Sequence, residues 1–359
     1  MAERTAELIQ RHRAFWHREK VDRPLLAAIP YVPLAPMAIP VPAAAWQGDE
    51  LQLVPEILDP AAFADFEAEP GAKPFKGDLF NFRAPFRRLP WVEAVLGCPI
   101  MADRSSGSIW AQPCLERPAD WPRLALRDDN PWLAKLLAFL AELVARRDGT
   151  YWPVLTLMRG PIDLARAVLG DNALCLALYD APEDLRDLLG AVSDVFVATV
   201  KAQHAATPRF HEGYLSPFGI WAPGSCVNTQ ADQSSIISAR TYEQVILPFE
   251  DKVCRPFDYS AIHLHSGFLH TVPPLLAAEL PRAIEIALDT GSTPVTTRDL
   301  VPVCRQILAR KPLLIHGNMS AADLDYLIAE LPPTGLHICA WLDPEDLAQW
   351  RSPFPLAAG

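Results

Sequence analysis

Short apolar runs alternate with helical patterns along residues 130–340, and this alternation restricts the fold more than any other feature of the sequence. Runs such as Ser260–His265, Ala283–Leu288 and Leu336–Ala340 are typical of buried strands, and the stretches between them have helical apolar spacing. Such alternation indicates a parallel sheet covered by helices. The chain contains neither Gly-x-Gly-x-x-Gly nor Gly-x-x-x-x-Gly-Lys, which disfavours a nucleotide-binding open sheet. We therefore predict an α/β fold, a (β/α)8 TIM barrel.

The first 125 residues add a helix and a long irregular stretch to this barrel. Residues 3–19 have amphipathic helical spacing, and the apolar run Leu25–Ile29 is a candidate first strand. Residues 30–125 are rich in proline and too long for a plain loop, so we expect an insertion or lid over the site. Many of the 36 prolines stand at predicted element boundaries, where they fix φ. The expectation is a single barrel domain, 1–359, with an N-terminal helical and proline-rich elaboration.

Charge and cysteine content exclude several classes of protein. The net charge of −11 argues against nucleic acid and against an anionic membrane surface as partners, since both attract clustered Lys and Arg. No apolar run reaches the ~18 residues of a membrane span, and residues 1–20 lack the apolar region of a signal peptide. The seven cysteines are odd in number and scattered, which indicates a reducing compartment. We expect a cytoplasmic protein that acts on a small-molecule substrate.

Two pairs of metal-type residues stand on separate predicted strands. His263 and His265 are two positions apart and so project to one face of their strand, and the same holds for His337 and Cys339 on the last strand. Imidazole and thiolate are zinc ligands, and the active sites of such barrels lie at the carboxyl ends of the strands. One alternative is that the histidines bind an anionic substrate or are core residues whose ring nitrogens are hydrogen-bonded. The other is that Cys339 is a small, buried apolar residue.

Polar residues also stand at the ends of other predicted strands. Asp289 ends the strand that begins at Ala283, and Glu285 lies four residues deeper on the same face, where a buried carboxylate needs a metal or a cation as partner. A helix-capping role for Asp289 is the alternative. Further candidates for substrate binding, for which capping and packing are the alternatives, are Asn318, Asn228, Gln230, Tyr214 and Trp221.

Several short motifs spread over about residues 10–350 resemble those of one known superfamily. They are Lys20–Pro24, Arg159–Ala165, Asp232 with Ile237-Ser238 and Leu247-Pro248, His263–Gly267, Gly317-Asn318, and Cys339. This set is similar to the uroporphyrinogen decarboxylase superfamily, and in particular to its methyltransferase-like branch, which includes zinc enzymes that act on corrinoid proteins and thiols. Residues 30–125 share little of the resemblance.

The resemblance implies a (β/α)8 barrel and, for the zinc branch, a His-x-Cys…Cys metal site. Here His265 stands in place of the first cysteine, so the implied zinc set is His263, His265 and Cys339. It makes Asp232 and Asp289 catalytic candidates, with Asp289 as a fourth ligand or a substrate contact. The leading hypothesis is a zinc-dependent methyltransferase. In it the metal activates an acceptor thiol, which attacks a methyl group from a corrinoid on a partner protein or from another donor. A homodimer is one expected assembly.

Two other functions remain open at this point. The decarboxylase branch works without a metal and holds its substrate's carboxylates with an N-terminal arginine-rich segment, for which Arg83, Arg87 and Arg88 are not a convincing replacement. In a metal-free decarboxylase or lyase, His263 and His265 would act as acid–base or anion-binding groups. The third possibility is a barrel that binds a small ligand or a corrinoid partner without turnover.

Overall fold

A parallel sheet of six strands forms the centre of the protein. The computed structural model describes residues 2–31, 39–68, 76–289 and 295–354. We number the six strands in chain order: β1 Leu25–Pro30, β2 Cys226–Gln230, β3 Tyr259–His265, β4 Ala283–Leu288, β5 Leu313–Asn318 and β6 Leu336–Leu342. Their spatial order is β2-β3-β4-β5-β6-β1, and the short strand Lys76–Gly77 adds an antiparallel edge beside β1.

The register of these strands places polar residues in one row. Gln230, His263, Glu285, Leu314 and His337 are successive partners across β2 to β6. Paired residues of neighbouring parallel strands point to the same side of a sheet, and side chains alternate along each strand. All five therefore project from one side, which we call the inner face.

The opposite face of the sheet packs against helices and forms the main hydrophobic core. Ile262, Leu264 and Ile284 on this face are fully buried. None of the described helices combines the length and apolar character that a membrane crossing needs. The described helices are Ala2–His17, Pro60–Ala68, Trp91–Val95, Pro131–Ala145, Pro161–Leu169, Asp171–Asp180, Pro182–Ala206, Ala239–Thr241, the π-helical Tyr242–Ile246, Leu247–Cys254, Val272–Ala277, Thr297–Leu308, Ala321–Glu330 and Pro344–Gln349.

Local sequence sets where several of these helices begin. The Asn130 side chain accepts hydrogen bonds from the backbone N–H of Trp132 and Leu133 at 3.1 and 3.0 Å, with Pro131 at the first helical position. Thr296 caps the helix Thr297–Leu308 in the same way. Pro also occupies the first turn of the helices at 161, 182 and 344, because its fixed φ suits that position and its missing N–H is not needed there.

The predicted α/β class with a parallel sheet is confirmed, but backbone ladders among the described residues do not close the sheet into an eight-stranded barrel. Phe82–Arg83 and Trp152–Pro153, which lie between β1 and β2 in the chain, pair in parallel as a separate two-stranded sheet. Beyond that pair, the Gly160 N–H donates to the Gln230 carbonyl of β2 at 3.0 Å. Phe82–Arg83 and Trp152–Pro153 have two residues each, too few for continuous backbone ladders that would join β1 on one side to β2 on the other.

The described part of the proline-rich segment is folded. Glu50–Leu53, Ile100–Asp103 and Ile109–Ala111 form a three-stranded antiparallel sheet, and the strand predicted over Ser108–Trp110 is found one residue later. Two parts of this segment, residues 32–38 and 69–75, lie outside the described residues.

The N-terminal helix covers the amino ends of the strands on the inner face. The Trp16 indole donates to the Trp221 carbonyl at 3.0 Å. The His12 imidazole is fully buried: Nε2 donates to the Asp78 carbonyl at 2.6 Å, and Nδ1 accepts from the Trp221 N–H at 2.7 Å. This arrangement fixes the neutral tautomer of His12, and burial lowers its pKa to about 4.

This buried histidine predicts a pH-dependent part of the free energy of unfolding. Because the folded pKa lies below the unfolded value of ~6.5, the contribution is present above that pH and is lost as the pH falls toward 4. Between pH 7.5 and 5 the loss amounts to about 2 kcal/mol. Urea denaturation of wild-type protein and His12→Gln across this range measures it. The variant should lack this part of the pH dependence, and parallel profiles would contradict the assignment.

Candidate metal and active site

Two histidines of β3 face each other at the carboxyl end of the strand. Their Nε2 atoms are 3.3 Å apart. His263 Nδ1 donates to Glu285 at 2.6 Å, and His265 Nδ1 donates to Asp289 at 2.7 Å. With both Nδ1 protons engaged, the two Nε2 atoms face one point in space. Two lone pairs so close together need a shared proton or a cation between them.

Asp232 brings a carboxylate to the same point. Its Oδ1 lies 3.6 Å from His265 Nε2, and this buried oxygen has no hydrogen-bond partner among the described residues. Asp232, His263 and His265 offer ligand atoms that all lie within 4.8 Å of one another. An orphaned carboxylate oxygen beside two imidazole nitrogens is the donor set of a three-ligand catalytic zinc site.

Asp163 fixes the loop that carries Asp232. This carboxylate, in the first turn of helix Pro161–Leu169, accepts from the Asp232 N–H at 3.1 Å and from the Gln233 N–H at 2.8 Å. Burial, together with the nearby charge of Asp232, raises the pKa of Asp163 to about 7. The backbone after β2 is therefore held by a helix from a different part of the chain.

Glu285 is fully buried between two imidazoles. One of its carboxylate oxygens accepts from His263, and the other is ion-paired with His316 Nδ1. Burial acts to raise the pKa of Glu285, but the charges of His316 and His263 outweigh it and lower the pKa to about 2. Burial acts to lower the pKa of His263, but the Glu285 carboxylate outweighs it and raises the pKa to about 9. When His263 carries its second proton, His263 and Glu285 therefore form an ion pair at neutral pH.

His316 is a member of this cluster that the sequence analysis missed. It forms a second three-residue group with His263 and Glu285, whose ligand atoms also lie within 4.8 Å of one another. The alternation of side chains along a strand could have indicated it, because His316 lies two positions before the candidate Asn318 and so shares its face of β5. The cross-strand partner of His316 on β6 is Cys339.

Three of the predicted substrate-binding residues lie near the cluster. Gln230 is the cross-strand partner of His263, and Asn228 lies one layer deeper on the same face of β2. Asn318 is at the carboxyl end of β5, in register with Trp341. Their positions are compatible with contact to a bound substrate, and the substrate role itself stays a prediction.

Cys339 lies on the inner face, but it belongs to neither three-residue group. It lines the same cavity as His263, and burial raises the pKa of its thiol to about 12. The described geometry gathers Asp232 with His263 and His265, where the resemblance had implied Cys339. Ligation by Cys339 therefore stays a prediction.

The structure places Tyr214 and Trp221, the other two candidates for substrate binding, outside the histidine cluster. Trp221 is 1% exposed and donates its indole N–H to the Phe210 carbonyl at 2.7 Å, so it is a packing residue. Tyr214 packs edge-on against His204, 4.5 Å between ring centroids, beside Asp258 in a separate surface pocket. Both belong to the hairpin of Tyr214–Leu215 and Trp221–Ala222, which precedes β2 in the chain.

A cavity of about 410 Å³ opens beside His263 on the inner face. We call it the inner cavity. The proline-rich segment supplies one wall through Leu79–Phe82 and Arg87, and its role as a lid stays a prediction. The strands supply the other wall: His263, Leu314, His316, His337, Cys339 and Trp341.

Comparisons with known proteins establish the fold of the chain and leave its family open. No protein-family model matches the sequence, and no curated protein does. Among solved structures, a methyltransferase from Methanosarcina mazei matches with a TM-score of 0.57 at 12% identity, over 94% of this chain and 93% of that chain. The likeness therefore extends over nearly the whole of both chains, and at this identity it concerns the fold alone.

Glu285 should contribute strongly to stability because two imidazoles depend on it. Glu285→Gln leaves both without their anionic partner, and we expect a loss of about 3 kcal/mol in the free energy of unfolding. Glu330→Gln is the matched control, since Glu330 is ion-paired with Arg305 at a half-exposed position and should cost at most ~1 kcal/mol. Urea denaturation at neutral pH compares the two, and equal losses would contradict the buried ion-pair assignment.

Proposed function

We propose that this protein is a zinc-dependent methyltransferase-like enzyme. The observation that carries the proposal is the convergence of two carboxylate-anchored imidazoles and the unpaired Asp232 oxygen on one point. The fold shared with a methyltransferase supports the reaction class. In this proposal His263, His265 and Asp232 hold the metal, which leaves a fourth position open for an acceptor.

The donor set suits zinc on chemical grounds. Imidazole nitrogens and a carboxylate oxygen are ordinary zinc ligands, and three protein ligands with one open position are typical of catalytic sites. Glu285 and Asp289 would act as outer partners, since each accepts the Nδ1 proton and so directs Nε2 to the metal. A zinc ion bound there would supply Lewis acidity that favours the thiolate form of an acceptor thiol.

The chain's own residues would position the reactants. Asp163 holds the Asp232 backbone, so that the carboxylate does not need to reorganise when it is engaged. Apolar side chains of the inner cavity, such as Phe218 and Trp341, would exclude water from the reacting atoms. The methyl donor in this proposal is a corrinoid, either free or on a partner protein, and the acceptor is a small thiol or a similar nucleophile.

A metal-free decarboxylase or lyase is the second candidate, and one observation favours it. His263 is paired with a fully buried carboxylate, and its pKa is raised to about 9, so it would serve as a cationic acid or anion-binding group at neutral pH. The zinc enzyme requires a metal ion between the Nε2 atoms of His263 and His265, whereas the metal-free enzyme requires only a proton there.

Metal analysis separates these candidates. We expect protein stripped with a chelator and reloaded with zinc to retain about one ion per chain after dialysis. Alanine at His263, His265 or Asp232 should weaken zinc binding by more than the ~10–100-fold that loss of an outer partner costs. His17→Ala, at an exposed position of the N-terminal helix, is the matched control. Retention below ~0.2 zinc per chain in wild-type protein would sink the metal hypothesis.

Cobalt substitution tests whether the ligand set includes Cys339. A thiolate bound to Co²⁺ gives an intense near-ultraviolet charge-transfer band, whereas a His-His-Asp site gives only weak visible bands. We expect no such band in wild-type protein and an unchanged visible spectrum in Cys339→Ser. A strong band that disappears in this variant would show that Cys339 is a ligand and would overturn the set of His263, His265 and Asp232.

The reaction class is tested with methylcobalamin as donor and 2-mercaptoethanol as acceptor. The zinc-loaded enzyme should demethylate methylcobalamin faster than the free thiol alone, as followed by the change in corrinoid absorbance. His263→Ala should abolish the enzymatic part, because it removes a ligand and the partner of Glu285. A zinc-loaded protein without any such acceleration would contradict this choice of donor and acceptor.

A further inference from the structure

A buried histidine without a partner lies in the wall of the inner cavity. His337 is 1% exposed, and neither of its ring nitrogens has a hydrogen-bond partner among the described residues. An uncharged imidazole offers one N–H donor and one lone pair. A buried imidazole that forms neither of these two hydrogen bonds destabilises the folded protein. The site is therefore complete only when a polar atom enters the cavity and meets His337.

The position of His337 sets the depth at which that atom would lie. It is near the amino end of β6, in register with Leu314 on one side and Leu25 on the other. His263 lies in the same row of the inner face, three strands away. A molecule anchored on His337 would therefore extend from this apolar stretch of the row toward the paired imidazoles.

Apart from Asn81, Arg87 and the histidines, the described lining of the inner cavity is apolar and aromatic. The His316 ring packs against those of Phe218 and Trp341, at centroid distances of 5.5 and 5.4 Å and interplanar angles of 33° and 29°. Leu79 and Leu314 line the cavity too. Among its described lining residues, Arg87 alone carries a permanent charge, and it is exposed. Such a lining selects an uncharged ligand with a flat apolar body.

The volume of the cavity bounds the size of that body. An apolar cavity of about 150 Å³ takes up benzene, so a cavity of about 410 Å³ has ample room for one aromatic ring with its substituents. A tetrapyrrole carries four rings with their side chains and exceeds this space. The cavity therefore matches a small aromatic molecule.

We propose that the inner cavity binds a monocyclic aromatic compound that carries an uncharged hydroxyl or a comparable donor–acceptor group, with this group hydrogen-bonded to His337. Binding itself does not require the metal. Only the role of the compound as methyl donor or acceptor rests on the proposed function.

Calorimetric titration with phenol and toluene tests the proposal on metal-free and on zinc-loaded protein. We expect a Kd of about 0.1 mM for phenol. The ratio of the toluene Kd to the phenol Kd should fall ~5–10-fold in His337→Leu, which keeps an apolar wall but removes the hydrogen bond. His337→Gln should retain most of the ratio, and His17→Leu, at an exposed position, should leave it unchanged.

Two results of these titrations would contradict the proposal. An unchanged ratio in His337→Leu would show that only water meets His337 and would overturn the proposal, as would the absence of phenol binding up to about 10 mM. Wild-type protein labelled with ¹⁵N-histidine gives a reading that needs no variant: phenol, but not toluene, should shift the resonances of one uncharged imidazole. Because the metal-free arm is measured separately, failure of the zinc hypothesis leaves this result interpretable.

Discussion

The buried carboxylate of Glu285 is the interaction on which the rest of the site depends. An ionised carboxylate inside an apolar sheet costs several kcal/mol unless cationic or hydrogen-bonding groups surround it. Here His263 and His316 lie on its two sides, on the strands that flank β4. The same contact turns His263 so that its Nε2 faces His265. Loss of Glu285 would therefore disturb the fold of the inner face and the geometry of the candidate metal site together.

Two carboxylates, one within β4 and one directly after it, orient the two imidazoles of β3. Glu285 accepts from His263, and Asp289, four residues further along the chain, accepts from His265. Histidines that bind a metal commonly donate their second ring N–H to a carboxylate in the same way. Asp232 reaches the same point from the loop after β2, where Asp163 fixes its backbone. The candidate ligands thus come from two places in the chain and depend on a helix and a strand that supply no ligand themselves.

The inner cavity joins this polar cluster to an apolar compartment. His263 belongs to both, while His337 lies in the apolar part and has no hydrogen-bond partner among the residues that the structure describes. The N-terminal helix covers the amino ends of the strands through Trp16 and His12. The inner face thus carries two neighbouring regions, the reactive imidazoles of His263 and His265 and the apolar part of the inner cavity, and each can be tested separately.

The sequence by itself determined the elements and the residues that share a face. The parallel α/β class, the pairing of His263 with His265 and the shared face of Glu285 and Asp289 all follow from periods of 2 and 3.6, which are local properties of the chain. Only the tertiary structure decided which strands adjoin and in what register, because that depends on packing between distant segments. Register brought His316 to Glu285, and a loop held by Asp163 brought Asp232 within ligand distance of the histidines. Trp221, a candidate for substrate binding from the sequence, is buried against the N-terminal helix, where its backbone bonds to Trp16 and His12.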